Sequence, residues 1–196
     1  MKGYHFTNKH QIKEIQIDFN MKIGFCGTMS VGKTTLVNAL KELPEFKGYS
    51  FATERSKYLR DLGIPLNTDS TLKGQTIFLA ERCAELINEN LITDRTVIDV
   101  MAFTKVAKSI NYYEVEAFCN LASKIIPEYD YIFYVSPDGV EIEDNGVRET
   151  DMKYRKLIDD TINLLLSKYS NKIKKITIIE GNTEKRIKSV KQALSL

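Results

Sequence analysis

The sequence lacks the features of membrane, secreted and disulfide-stabilised proteins. It has only three cysteines, Cys26, Cys83 and Cys119, without the spacing of a zinc site or a disulfide framework. No hydrophobic run approaches the roughly 18 residues that a membrane-spanning helix needs, and the N-terminus lacks the apolar stretch of a signal peptide. We therefore expect a cytoplasmic protein with no membrane partner.

The charge balance gives no sign of a general polyanion binder. The formal net charge is +2, which neither requires nor excludes nucleic acid as a partner. With 43% hydrophobic and 28% charged residues over 196 positions, the chain has the composition of one globular domain. We predict an N-terminal arm or extra strand over residues 1–20 and a catalytic domain over residues 21–196. The oligomeric state is left open, with a homodimer among the alternatives.

From residue 21 onward, short apolar runs alternate with longer segments of helical periodicity. This alternation predicts βαβ units and a mostly parallel sheet with helices between the strands. Apolar side chains at three-and-four spacing predict an amphipathic helix over residues 151–169. The longest irregular segment is expected over residues 136–150. The five predicted strands are residues 22–26, 49–53, 91–93, 130–135 and 175–179.

The most specific motif is Gly27-Thr-Met-Ser-Val-Gly-Lys-Thr34, which fits the phosphate-binding pattern G-x-x-x-x-G-K-[ST] between a predicted strand and a predicted helix. In this pattern backbone N–H groups surround phosphates, and the helix N-terminus adds positive charge. Lys33 is expected to reach the β and γ phosphates, and the hydroxyl of Thr34 to bind Mg²⁺. ATP and Mg²⁺ are therefore the predicted cofactors. The predicted nucleotide-binding residues of this segment are Gly27, Thr28, Met29, Ser30, Val31, Gly32, Lys33, Thr34 and Thr35.

Two missing motifs separate this chain from other P-loop proteins. No guanine-reading N-K-x-D follows the P-loop, which argues against a GTPase. No long apolar strand ends in Asp-Glu, the pair that holds Mg²⁺ and polarises water in hydrolytic ATPases. The nearest match ends at Asp94 and is followed by Arg95, which suits a second phosphate or a substrate. This pattern favours phosphoryl transfer over hydrolysis.

Over about residues 21–170 the sequence resembles P-loop nucleoside and nucleotide kinases, especially the ribosylnicotinamide-kinase-like family and, more loosely, thymidylate kinases. Besides the P-loop, the resemblance rests on Thr53-Glu-Arg55, Phe78-Leu-Ala-Glu-Arg82 and Thr93-Asp-Arg-Thr-Val-Ile-Asp99. It implies a three-layer α/β P-loop kinase fold and a small nucleoside- or nucleotide-like acceptor. The tightly spaced lid arginines of thymidylate kinases are missing here, which argues against thymidylate as the substrate.

Residues at the ends of the second and third predicted strands have expected roles, Glu54 by the resemblance and Asp94 and Arg95 by their position at a strand end. An acid after the second strand meets the acceptor hydroxyl in such kinases, so Glu54 is the expected base or orienting group. Asp94 is expected to hold a magnesium-bound water, and Arg95 to bind the acceptor. The alternatives are ion pairs, including one between Glu54 and Arg55. The predicted metal-binding residues are thus Thr34 and Asp94.

The resemblance places one predicted helix beside the acceptor pocket. Gln75, Phe78 and Arg82 recur at helical spacing and share a face that could bond to and stack on a nucleoside. The competing interpretation makes Phe78 a core residue and Arg82 a snorkelling surface residue. The predicted substrate-binding residues are Glu54, Arg55, Gln75, Phe78, Arg82 and Arg95.

Residues 144–155 follow the fourth predicted strand, where related kinases carry a lid. Arg148 and Arg155 are expected to bind the nucleotide when this lid closes and excludes water. Arg148 is also expected to act on the transferring phosphoryl group. The predicted catalytic residues are Lys33, Glu54, Asp94, Arg95 and Arg148.

The leading hypothesis is therefore an ATP- and Mg²⁺-dependent kinase of a nucleoside, a nucleotide or nicotinamide riboside. A second hypothesis is a kinase of hydroxymethyl-type bases in DNA, for which the basic N-terminal arm would be the only candidate path. A third is a regulatory P-loop ATPase, which is expected if Glu54, Asp94 and Arg148 do not converge near the γ-phosphate.

Overall fold

A computed structural model describes residues 20–53, 55–138 and 151–196, and the strands in these ranges form one parallel sheet. The strand order is β2-β3-β1-β4-β5, and every pairing is parallel. The predicted strands are confirmed to within about one residue at each end. Their bounds are Lys22–Cys26 for β1, Ser50–Ala52 for β2, Leu91–Thr93 for β3, Tyr131–Val135 for β4 and Ile176–Ile179 for β5.

Helices connect the strands and cover both faces of the sheet. The helix predicted over residues 151–169 is confirmed as α6. The bounds are Lys33–Lys41 for α1, Ser56–Asp61 for α2, Leu72–Glu85 for α3, Val97–Val106 for α4, Tyr112–Ala122 for α5, Met152–Lys168 for α6 and Thr183–Leu194 for α7. None of the helices in the described ranges is long and apolar enough to cross a membrane.

The central strands are buried on both faces, which is the physical reason for their near-continuous apolar sequence. In β1, Ile23 and Phe25 pack in a core cluster with α1 and α7. Cys26 belongs to the cluster on the opposite face, which is built with α3, α4, α5 and α6. The predicted three-layer α/β fold is therefore confirmed.

The connections place a crevice at the carboxyl ends of β1 and β3. The chain leaves β1 towards β2 through α1, on one face of the sheet, and leaves β3 towards β4 through α4 and α5, on the other. Adjacent strands whose connections diverge in this way form the usual ligand crevice of an open α/β sheet. Gly24 lets α4 approach closely, because a Cβ there would lie 2.5 Å from the side chain of Thr96.

Several sequence predictions concern residues that the structure does not describe. The arm or extra strand of residues 1–20 lies outside the described residues except for residue 20, and so does most of the segment 136–150. Glu54 and Arg148 also lie outside the described residues. The predicted domain boundary and the roles of these two residues remain predictions.

Candidate functional site

The P-loop, residues 27–34, joins β1 to α1 at the carboxyl edge of the sheet. Gly27 is required where the loop leaves the strand, because a Cβ would lie 2.7 Å from the carbonyl oxygen of Val135. Gly32 caps α1 in a left-handed conformation with φ 81°, which glycine adopts without strain. The loop therefore places Lys33 in the first turn of α1.

The ammonium group of Lys33 lies within the curl of the loop. Its Nζ donates to the carbonyl oxygens of Gly27 at 2.5 Å and Thr28 at 2.8 Å, and the side chain is only 7% exposed. It also lies 4.0 Å from a carboxylate oxygen of Asp99. A phosphate in the loop would offer Lys33 charged oxygens, which are stronger acceptors than these neutral carbonyls.

Thr34 and Asp94, the two residues predicted to bind Mg²⁺, are in direct contact. The hydroxyl of Thr34 donates to Oδ2 of Asp94 at 2.7 Å, and Asp94 is fully buried. Asp94 follows β3, and its backbone N–H donates to the carbonyl oxygen of Ala52 in β2 at 3.1 Å. A hydroxyl and a carboxylate are oxygen donors of the kind that Mg²⁺ prefers. Both predicted donors thus fit the ion, although their metal role remains a prediction.

Asp99 fixes the start of the P-loop to α4. It is the third residue of that helix and forms a capping box with Thr96, whose N–H and hydroxyl both donate to it at 2.9 Å. Its other oxygen accepts from the N–H of Gly27 at 3.2 Å. The fully buried carboxylate of Asp99 therefore connects the capping of α4 to the shape of the phosphate-binding loop.

Arg155 reaches the P-loop from α6 and is only 5% exposed. Its Nε donates to the carbonyl oxygen of Met29 at 3.3 Å and its guanidinium donates to that of Ser30 at 3.5 Å. The hydroxyl of Thr28 in turn donates to the backbone carbonyl of Arg155 at 3.0 Å. Burial lowers the pKa of the Arg155 guanidinium. The predicted nucleotide-binding residue thus contacts the phosphate-binding loop itself.

Arg186 contacts the same loop from α7, and the sequence analysis did not identify it. This side chain is 4% exposed, and its guanidinium donates to the carbonyl oxygens of Val31 and of Ser136, the latter at 3.4 Å. The sequence did carry a signal, because Arg186 lies four and eight residues before Val190 and Leu194, which are both buried. An arginine in the apolar stripe of a helix indicates a buried partner.

The two arginines predicted to bind the acceptor, Arg55 and Arg95, lie over aromatic rings. Arg55 lies 3.5 Å from Glu81 and 4.6 Å above the centre of the Tyr58 ring. Arg95 lies 5.1 Å above the ring of Phe103. Such stacking restrains the planar guanidinium groups. The described ion-pair partner of Arg55 is therefore Glu81, on α3.

The predicted face of α3 is buried. Gln75, Phe78 and Arg82 are only 3%, 8% and 1% exposed. Phe78 belongs to the hydrophobic core, as the competing interpretation predicted. The prediction that Arg82 snorkels at the surface is wrong, because this side chain is buried. It forms an ion pair with Glu85, which also accepts a hydrogen bond from the hydroxyl of Thr93 at 3.1 Å. The predicted acceptor role of these three residues remains a prediction.

A family model described as an AAA domain matches residues 22–186. The chain belongs to this AAA domain family. No curated protein matches its sequence. Among solved structures, the AAA domain is similar to deoxyadenosine kinase from M. mycoides with bound dCTP, at 17% identity and a TM-score of 0.65 over 89% of this chain and 99% of that chain.

Two further solved structures share the fold of this AAA domain. Thymidylate kinase from Candida albicans is 13% identical, with a TM-score of 0.65 over 89% of this chain and 91% of that chain. The NadR protein in complex with NAD and AMP-PNP is 15% identical, with a TM-score of 0.64 over 90% of this chain and 50% of that chain. The predicted resemblance to P-loop nucleoside and nucleotide kinases is confirmed.

The site of this AAA domain combines three chemical elements at one edge of its sheet. Lys33 supplies a buried cation within the P-loop, and Thr34 and Asp94 supply adjacent oxygen donors. Arg155 and Arg186 hold the same loop from two helices. Thr35, the last of the predicted nucleotide-binding residues, is exposed on α1. This arrangement is suited to binding and polarising a polyphosphate.

Proposed function

We propose that this AAA domain is an ATP- and Mg²⁺-dependent kinase that transfers the γ-phosphate to a nucleoside- or nucleotide-like acceptor. The observation that carries the proposal is the 2.7 Å contact between Thr34, at the start of α1, and Asp94, after β3. It brings oxygen donors together beside the P-loop, at the sheet edge where an acceptor would also bind. Phosphoryl transfer depends chiefly on such positioning and charge stabilisation.

Lys33, Thr34 and Asp94 have distinct roles in this proposal. Thr34 and Asp94 would hold Mg²⁺ directly or through water, because Mg²⁺ is usually bound by few protein oxygens. When bound there, Mg²⁺ would supply positive charge to the phosphates. Lys33 turns from its present carbonyl acceptors to the phosphate oxygens, with its charge already desolvated.

The acceptor site is proposed at the neighbouring ends of β2 and β3. Ala52 and Thr93 are paired in the sheet, so Thr53 and Asp94, which follow them, lie on neighbouring strand ends. In this proposal Glu54 orients the acceptor hydroxyl, while Arg55 and Arg95 bind the acceptor. The structures that share this fold include proteins named as kinases of deoxyadenosine and thymidylate, which supports a nucleoside or nucleotide acceptor.

Residues of α3, of α6 and of the predicted lid complete the proposal. Gln75, Phe78 and Arg82 form the wall of α3 beside the acceptor, and Arg148 and Arg155 contact the nucleotide when the lid closes. Arg155 is already at the P-loop, which supports its assignment to the nucleotide side. Exclusion of water by such a lid would favour transfer to the acceptor over hydrolysis.

Transfer of labelled γ-phosphate tests this proposal. Purified protein is incubated with Mg²⁺ and γ-labelled ATP, and the acceptors are nucleosides, nucleotides, nicotinamide riboside and hydroxymethyl-base DNA, with Lys33→Ala as control. Label on a small acceptor that depends on Lys33 supports the proposal. Label only on DNA would favour the base-modifying kinase, and phosphate release independent of any acceptor would favour a regulatory ATPase.

A further inference from the structure

Two buried arginines hold consecutive carbonyl groups of the P-loop. Arg155, on the side of the sheet covered by α6, donates to the carbonyl oxygens of Met29 and Ser30. Arg186, on the side covered by α7, donates to that of Val31. Three successive peptide units are thus held by guanidinium groups that approach from helices on opposite faces of the sheet.

Peptide geometry relates these contacts to phosphate binding. No cis peptide bond occurs in the described ranges, and in a trans peptide the carbonyl and the following N–H point in opposite directions. Because Arg186 holds the carbonyl oxygen of Val31, the N–H of Gly32 in the same peptide points away from the arginine. The phosphates bind to such inward N–H groups in this motif, whereas a flipped peptide would present a carbonyl oxygen to them.

Arg186 is not neutralised by a carboxylate in the part of the chain that the structure describes. No carboxylate acts on the Arg186 guanidinium there, and its buried Nε has no hydrogen-bond partner. Burial lowers the pKa of this guanidinium, which means that its charged form is held at an energetic cost. A contact that only held α7 against the loop would not need a charged side chain, because an apolar side chain of similar size could pack there without the cost of removing a charge from water.

We propose that Arg186 is a positioning residue of the phosphate site, which fixes the Val31–Gly32 peptide and lends its charge to phosphate binding through it. Arg186 lies on the carbonyl side of the loop, so it acts through the backbone and does not contact the phosphates. A Cβ on Gly32 would lie 3.1 Å from the guanidinium, which shows how closely the two pack. The inference rests on the proposed function only in requiring that the P-loop binds phosphates.

Equilibrium binding tests this role without any acceptor. Calorimetry with Mg-ATP, tripolyphosphate and adenosine compares the wild type with Arg186→Met, which keeps an unbranched side chain but removes the donors. Loss of a hydrogen bond from a charged group should weaken ATP and tripolyphosphate binding about ten- to hundredfold. Adenosine binding should stay unchanged, because adenosine carries no phosphate. Lys188→Met, which removes an exposed charge from the same helix, should change ATP affinity by less than about twofold.

Two results separate this inference from the proposed function. Equal ATP affinity in the wild type and Arg186→Met, or an equal loss of ATP and adenosine binding, would overturn the inference, since both imply that Arg186 does not act on the phosphates. Wild-type protein that binds ATP without transferring it would refute the kinase and leave this inference standing. If Arg186→Met does not fold, Arg186→Lys replaces it; a several-fold selective loss of tripolyphosphate affinity supports the role, and unchanged affinity overturns it.

Discussion

Substitution of Asp94 by asparagine tests the proposed metal site directly. The change preserves the size of a fully buried side chain and removes only its charge. Oδ2 of Asp94 accepts from the hydroxyl of Thr34 at 2.7 Å, a distance typical of a hydrogen bond to a charged group. The neutral amide would be a weaker ligand for Mg²⁺ and a weaker partner for Thr34. We therefore expect a selective loss of Mg²⁺-dependent nucleotide binding.

The size of this loss follows from the contact. A hydrogen bond to a charged group contributes about 1.5–3 kcal/mol, which corresponds to about a ten- to hundredfold change in an equilibrium constant. The ratio of the dissociation constants for ATP measured in EDTA and in excess Mg²⁺ should fall by this factor in Asp94→Asn. Binding in EDTA should change little, because Lys33 and the backbone of the loop remain.

Asp130→Asn is the matched control for this experiment. Asp130 precedes β4 at the opposite edge of the sheet, where it accepts from the backbone of Lys22 at 2.9 Å and from Lys174 at 2.8 Å. Its substitution should leave the Mg²⁺ dependence of ATP binding unchanged. If Asp94→Asn also keeps the wild-type Mg²⁺ dependence and turnover, the assignment of Asp94 to the metal site is refuted.

Two further predictions concern stability. Gly24→Ala would place a Cβ 2.5 Å from Thr96. Such overpacking costs about 1–3 kcal/mol, so the melting temperature should fall by about 2–12 °C. Gly48→Ala is the control, because a Cβ there has no atom within 4 Å and should not lower the melting temperature. Equal melting temperatures for the two variants would contradict the packing argument. The second prediction concerns Asp159, whose pKa burial raises above its ordinary value of 3.8. The native protein therefore binds the proton of this carboxyl group more tightly than the unfolded protein does. The contribution of Asp159 to the free energy of unfolding thus falls as the pH rises from about 4. Asp159→Asn retains an acceptor for the hydroxyl of Tyr134, 2.8 Å away. Its melting temperature relative to the wild type should therefore rise as the pH increases above about 4, and a decrease in this difference would refute the sign.

The strands were predictable because burial on both faces of a parallel sheet leaves a local signal. The segments Lys22–Cys26 and Tyr131–Val135 are nearly continuous apolar runs, and polar or glycine-containing segments bound them. The order of the strands has no such local signal, since it depends on which face each connection crosses. No strand order was therefore predicted, and the expected three-layer topology came from the resemblance to P-loop kinases.

The site was predictable where a motif or a strand end carries the chemistry. The P-loop spacing places Lys33 and Thr34, and the position of Asp94 after a strand brings it to the same sheet edge. The contact between Arg186 and the carbonyl oxygen of Val31 was missed because the two residues are 155 positions apart in the chain. Its only local signal is a charged residue in the buried stripe of α7, a pattern that the lysine-rich surroundings obscure.

Recovery of the γ-phosphate tests the central claim most directly. The protein is incubated with Mg²⁺, γ-labelled ATP and a nucleoside or nucleotide acceptor, and the label is divided between acceptor and free phosphate. We predict that most of the label is found on the acceptor, and that Lys33→Ala abolishes this transfer while retaining the fold. Label found only as free phosphate, at the same rate with and without every acceptor, would contradict the assignment of this AAA domain as a kinase.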